Sequence, residues 1–217
     1  MRKVFFCVLG LMAGVACAQG DAARQLLLPG VYHGDEVPAQ PGTGWLALVV
    51  VDGRWHLVPT EVKVEPMPGE EGDVRLATPH PKAMALLRAP VLQAGKVDTP
   101  DMRFMGNTRR LRHDAPLNIS FKRQSYQLVV MRNGAVALQS GQQRSELPDF
   151  LVSEDQSSDF SESTALLWAG DLDGDGKLDL LMGYERYNQE GACLFLSSAA
   201  SPGQLVGRPA CVGRTGC

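Results

Sequence analysis

Two dipeptides constrain this chain's fold most: Asp52-Gly53 and Asn133-Gly134, each set between apolar runs. Residues 45–51 precede the first and residues 54–58 follow it; residues 126–132 and 135–138 flank the second. Two residues tolerant of positive φ between β-formers are what a type I′ turn needs, because its twist matches that of the strands it joins. Both segments are therefore predicted as hairpins with type I′ turns. Residues 61–65 and 117–122 add candidate strands, and residues 81–88 carry a short helical pattern, the only one. The fold class expected is mainly β, with antiparallel hairpins in sandwich-like or partial-propeller sheets and at most a short helix.

Residues 171–179 read Asp171-Leu172-Asp173-Gly174-Asp175-Gly176-Lys177-Leu178-Asp179. Alternate residues of a tight loop aim their side chains at one centre, and calcium takes six to eight oxygens at roughly 2.3–2.6 Å. The ligands expected are the side chains of Asp171, Asp173 and Asp175, the carbonyl of Lys177, and a direct or water-bridged oxygen of Asp179. Carboxylates about 4 Å apart at an effective dielectric near 20 repel by roughly 4 kcal/mol, so such a cluster calls for a cation. Gly176 follows the third Asp, where the chain turns sharply and a Cβ would obstruct it.

The flanks separate this loop from an EF-hand, which has a helix on each side and a bidentate Glu at loop position twelve. Here position twelve is Met182, and residues 166–170 and 178–181 are short apolar runs expected as strands, with Leu178 and Leu180 facing a core and Asp179 the ion. Residues 166–182, with Trp168-Ala169-Gly170 before the loop and Leu178, Leu180 and Leu181 after it, resemble an FG-GAP or VCBS-type calcium-binding repeat, a strand, Asp-rich loop and strand forming a hairpin. The resemblance covers 17 of 217 residues, once. Families of this type build propellers from many copies and bind proteins or cell-surface glycans; a single copy does not carry that role over. The chain as a whole also looks like uncharacterised bacterial secreted proteins with one such loop near the C-terminus.

Arg2 and Lys3, an apolar stretch over residues 4–15 and Ala16-Cys17-Ala18 have the order of a secretory signal peptide spanning residues 1–18. Cleavage there leaves 199 of 217 residues and removes two basic groups, taking the formal charge from −3 to −5, a balance that argues against nucleic acid. A lipid anchor at Cys17 is the alternative processing event, disfavoured by Gly14 three residues earlier. No later apolar segment is long enough for a membrane span. The expected location is secreted or periplasmic, where Cys193, Cys211 and Cys217 have one disulfide to form and one thiol to spare. Strands at residues 193–198 and 205–212 around Ser201-Pro202-Gly203 favour Cys193 with Cys211; Cys211 with Cys217 and Cys193 with Cys217 stay open. Two β-rich parts are expected, residues 19–100 and 101–217, with polar loops at residues 66–73 and 153–159.

No G-x-S-x-G, H-E-x-x-H or C-x-x-C motif is present, and His33, His56, His80 and His113 stand singly. His113 and Asp114, being adjacent in an extended segment, point to opposite faces. Arg103, Arg109, Arg110, Arg112 and His113 form a basic run expected to be solvated, and the sequon-like Asn118-Ile119-Ser120 is discounted for a chain of bacterial type. The function expected is an exported calcium-binding β protein, the ion stabilising a hairpin loop, acting as an interaction module for a protein or glycan at the cell envelope. A secreted hydrolase with its acids outside any motif is the alternative.

Overall fold

The computed structural model describes residues 24–37, 40–69, 72–100, 109–152 and 163–215. The expected signal peptide, Cys7, Cys17 and Cys217, Arg103 and the polar loop at residues 153–159 lie outside these. Among the described residues the chain is mainly β, in three antiparallel sheets.

The first sheet contains β1 (Gln25–Leu27), β2 (Gly30–His33), β3 (Gly42–Val51), β4 (Arg54–Pro66), β5 (Asp73–Ala77), β6 (Ala85–Arg88) and β7 (Gly95–Lys96). Its order is β1-β6-β3-β4-β5-β2, with β7 also on β4. The 13-residue β4 pairs with β3 along residues 54–62 and with β5 along residues 63–66, so the sheet curls into a half-barrel. The runs expected as separate strands at residues 54–58 and 61–65 are thus one strand.

Asp52 and Gly53 have φ of 50° and 74°, and Val51 pairs with Arg54, as a type I′ turn requires. Residues 81–88 do not form a helix. Ala85, Leu86 and Leu87 are 0% exposed in β6, hydrogen-bonded between β1 and β3. A short apolar run has no period of its own to distinguish a helix from a strand buried on both faces, and two flanking strand edges decided it.

β8 (Arg109–Arg110) belongs to the third sheet, and β9 (Leu117–Phe121), β10 (Gln124–Val130), β11 (Ala135–Ser140) and β12 (Gln143–Leu151) form the second as a meander. The turn at Asn133-Gly134 is not type I′. Only Gly134 has positive φ (82°); Gly134 N–H donates to the Met131 carbonyl, and the Asn133 side chain accepts from Ala135 N–H. Asn133 acts through its side chain, and the Gly134 carbonyl accepts from Val152 N–H at 2.8 Å, which ties the end of the meander to the turn.

The third sheet runs β16-β15-β14-β13-β8, from β13 (Ser163–Gly170), β14 (Asp179–Arg186), β15 (Gln189–Phe195) and β16 (Ala210–Thr215). Its successive residues enter two different cores. Trp168, Leu181, Ala192, Leu194, Leu196 and Val212 pack with the half-barrel, whereas Leu166, Ala169, Leu180, Met182, Cys193 and Phe195 pack with the meander. This sheet is the middle layer of three, and burial on both faces makes its strands near-continuous apolar runs. Cys193 and Cys211 are register partners on β15 and β16 and form a disulfide, with their Cα atoms 4.1 Å apart. No helix among the described residues is long and apolar enough to cross a membrane.

Candidate metal centre

The acidic loop joins β13 to β14, two inner strands, at one end of the middle sheet and is pinned from both sides. Leu172 packs into the half-barrel core and Leu178 into the meander core. Gly174 and Gly176, with φ of 78° and 84°, let the seven residues between Asp171 and Asp179 fold back. Gly170, the last residue of β13, lies so close to its neighbours that a Cβ would sit 2.5 Å from the Trp168 ring and 2.6 Å from the Asp98 carbonyl. That carbonyl accepts from Asp171 N–H at 2.9 Å, which holds the loop's first residue against the segment after β7.

Asp171, Asp173 and Asp179 each offer a carboxylate oxygen, and the three oxygens lie within 4.8 Å of one another. Asp171 divides its two oxygens. Oδ2 accepts from Gly176 N–H at 3.0 Å and from the Lys122 ammonium at 2.7 Å, while Oδ1 is buried with no hydrogen-bond partner. A buried carboxylate oxygen left without a partner is costly, and a cation is the group that would complete it.

Asp179 is 0% exposed. Leu172 N–H donates to its Oδ2 and Ser197 N–H to its Oδ1, both at 2.7 Å. Burial pushes its carboxyl up from the usual 3.8 to about 7 despite those bonds, and the charge of Asp173 adds to the rise. Ser197 Oγ reaches Asp179 Oδ1 at 2.8 Å and the two oxygens of Asp175 at 3.0 and 3.1 Å. One hydroxyl has one proton to donate and cannot serve all three oxygens; Ser197 N–H also donates to Asp179 Oδ1 and Lys177 N–H to Asp175 Oδ1, with the Lys177 ammonium near Asp175 Oδ2. Ser198 donates its hydroxyl to Asp173 Oδ2.

The expected ligands are therefore arranged unequally. Asp171, Asp173 and Asp179 converge; Asp175 faces Ser197 and accepts from Lys177 N–H at 2.8 Å; the Lys177 ammonium lies 4.0 Å from Asp175 Oδ2. Four further residues at the site left no signal in the sequence: Asp98 and Lys122, 73 and 49 positions before Asp171, and Ser197 and Ser198 in the 3-10 turn Ser197–Ala199 after β15. With Asp98, the five carboxylates exceed the ammonium groups of Lys96, Lys122 and Lys177 by two charges if all are ionised. The group holds no histidine or cysteine among the described residues, and an all-oxygen set suits a hard cation. Compared with known proteins, the chain matches no family model, no curated protein and no solved structure.

Elsewhere, one histidine is not solitary. His33 Nδ1–H donates to Asp73 Oδ1 at 2.6 Å across the β2–β5 pair, which raises the imidazole pKa. The pair lines an open groove of about 340 Å³ with Glu190, Arg214 and Thr215. His113 binds the Val152 carbonyl at 3.0 Å while Asp114 pairs with Arg112, the divergence expected of extended neighbours. Arg110 of the basic run meets Glu185 at 3.1 Å.

Proposed function

We propose that this is an exported β protein whose loop at residues 171–179 binds one calcium ion, and that the ion fastens the junction of the three sheets to present a rigid surface to an envelope or extracellular partner. The observation that carries it is the unpartnered Asp171 Oδ1 beside Asp173 and the fully buried Asp179. Asp98 reaches the site from the half-barrel, Lys122 from the meander and the loop from the middle sheet, so an ion there acts on contacts between layers as well as on one hairpin. The likeness of residues 166–182 to an FG-GAP or VCBS-type repeat points the same way, and the Cys193–Cys211 disulfide is consistent with an oxidising compartment.

Calcium is proposed over magnesium because its flexible coordination accepts three converging carboxylates completed by a carbonyl and water, whereas magnesium demands a near-ideal octahedron. At free calcium one hundred times the dissociation constant, the linked stabilisation is about 2.7 kcal/mol. Calorimetric titration with calcium chloride, together with melting in calcium and in chelator, tests this. Wild type should bind one ion and melt lower in chelator, and Asp173→Ala should melt low in both. No binding heat, with melting unaffected by chelator or substitution, removes the proposal. A pull-down from the cell envelope with and without chelator then tests the partner.

The hydrolytic alternative needs carboxylates clear of the metal loop in a concave site. Asp73 and Glu190 line such a groove, Asp73 paired with His33 and Glu190 with Arg214, and neither has an unpartnered buried oxygen like that of Asp171.

A further inference from the structure

Lys122 is a part of the acidic site that a metal-binding loop does not explain. It sits in the two-residue turn between β9 and β10, where Phe121 pairs with Gln124. Lys122 and Arg123 both have positive φ, 42° and 68°, in a turn whose two central positions normally select Asn and Gly. Lysine in this conformation is uncommon, and strained positions cluster at sites of function. The Lys122 ammonium lies 2.7 Å from Asp171 Oδ2 and 3.3 Å from Asp98 Oδ2. Asp171 Oδ1 remains open on the other side of the same carboxylate.

We infer that Lys122 is the built-in counter-cation of this site: its ammonium holds Asp171 to one-oxygen binding, supports the loop when no ion is present, and weakens the hold on the divalent ion by repulsion. The inference rests on the metal reading above and deepens it, by naming the residue that sets the site's affinity. Because Oδ2 is committed to Lys122 and Gly176 N–H, an ion is left Oδ1, with a positive charge one carboxylate away. At the effective dielectric of a partly buried site, a charge at that range changes an ion-binding equilibrium by about tenfold or more. The arrangement suits a site that fills only where calcium is abundant.

The test is calorimetric titration of calcium chloride into wild type, Lys122→Met and Lys122→Arg. Lys122→Met should bind at least about tenfold more tightly and melt lower without calcium, whereas Lys122→Arg, which keeps the charge, should stay within about threefold of wild type. If the Met variant does not fold, Lys122→Gln takes its place, since the side chain is partly solvent-exposed. Wild-type binding with equal or weaker affinity in the neutral variant overturns the role of Lys122 and leaves the metal site standing. Absence of binding in all the proteins overturns both.

Discussion

Asp179 makes a quantitative prediction about the ion-free protein. Its carboxyl is fully buried and held at about 7, against 3.8 when unperturbed. A group whose pKa is raised on folding binds more protons in the folded than in the unfolded state, so stability falls as pH rises between the two values. The contribution is fully present below about pH 4 and lost by the time pH has passed 7. At about 1.4 kcal/mol for each pH unit, the span corresponds to a loss of about 4 kcal/mol. Between pH 5 and pH 8, which takes in about two of those units, the loss is about 2.7 kcal/mol, on the order of 5–11 °C in Tm for a chain of this size.

The assay is thermal unfolding in calcium-free buffer at pH 5 and pH 8, for wild type and Asp179→Asn. Wild type should melt markedly lower at pH 8. The Asn variant, with nothing to ionise at 179, should lose most of that difference; what remains belongs to other groups such as His33, whose raised pKa acts in the same direction. Saturating calcium should stabilise wild type far more at pH 8 than at pH 5, because the ion needs the carboxylate. Equal melting at the two pH values, or a slope unchanged in Asp179→Asn, would refute the assignment of a strained buried acid.

Two further outcomes follow from local geometry. Gly170→Ala places a methyl 2.5 Å from the Trp168 ring and 2.6 Å from the Asp98 carbonyl, and should cost about 2 kcal/mol or more in urea unfolding while loosening the Asp98–Asp171 contact; a neutral substitution would show that this crossing is soft. Reducing the Cys193–Cys211 bridge, which closes a span of 18 residues, should lower stability by about 3 kcal/mol, measured as a drop in denaturant midpoint with and without reductant.

Much of the secondary structure was legible because its causes act over a few residues. The Asp52-Gly53 turn, strands on both sides of the acidic loop, and the opposition of Cys193 to Cys211 all follow from turn chemistry and a two-residue period. Local rules failed where the signal was ambiguous or missing. The β9–β10 turn is Lys122-Arg123, a pair that announces no turn, and β6 is a run whose neighbours alone made it a strand.

By itself, the sequence determined that this chain is antiparallel β and where its acids are concentrated, since the spacing of carboxylates around Gly174 and Gly176 is a property of nine consecutive residues. Tertiary structure decided which of those acids converge, that Asp179 is fully buried, and that Lys122 and Asp98 share the site. It also joined His33 to Asp73 over 40 positions. The physical reason is that backbone conformation and turn preference are set within a few residues, whereas strand pairing, burial and charge pairing depend on which segments and layers meet, and here three sheets meet at one loop.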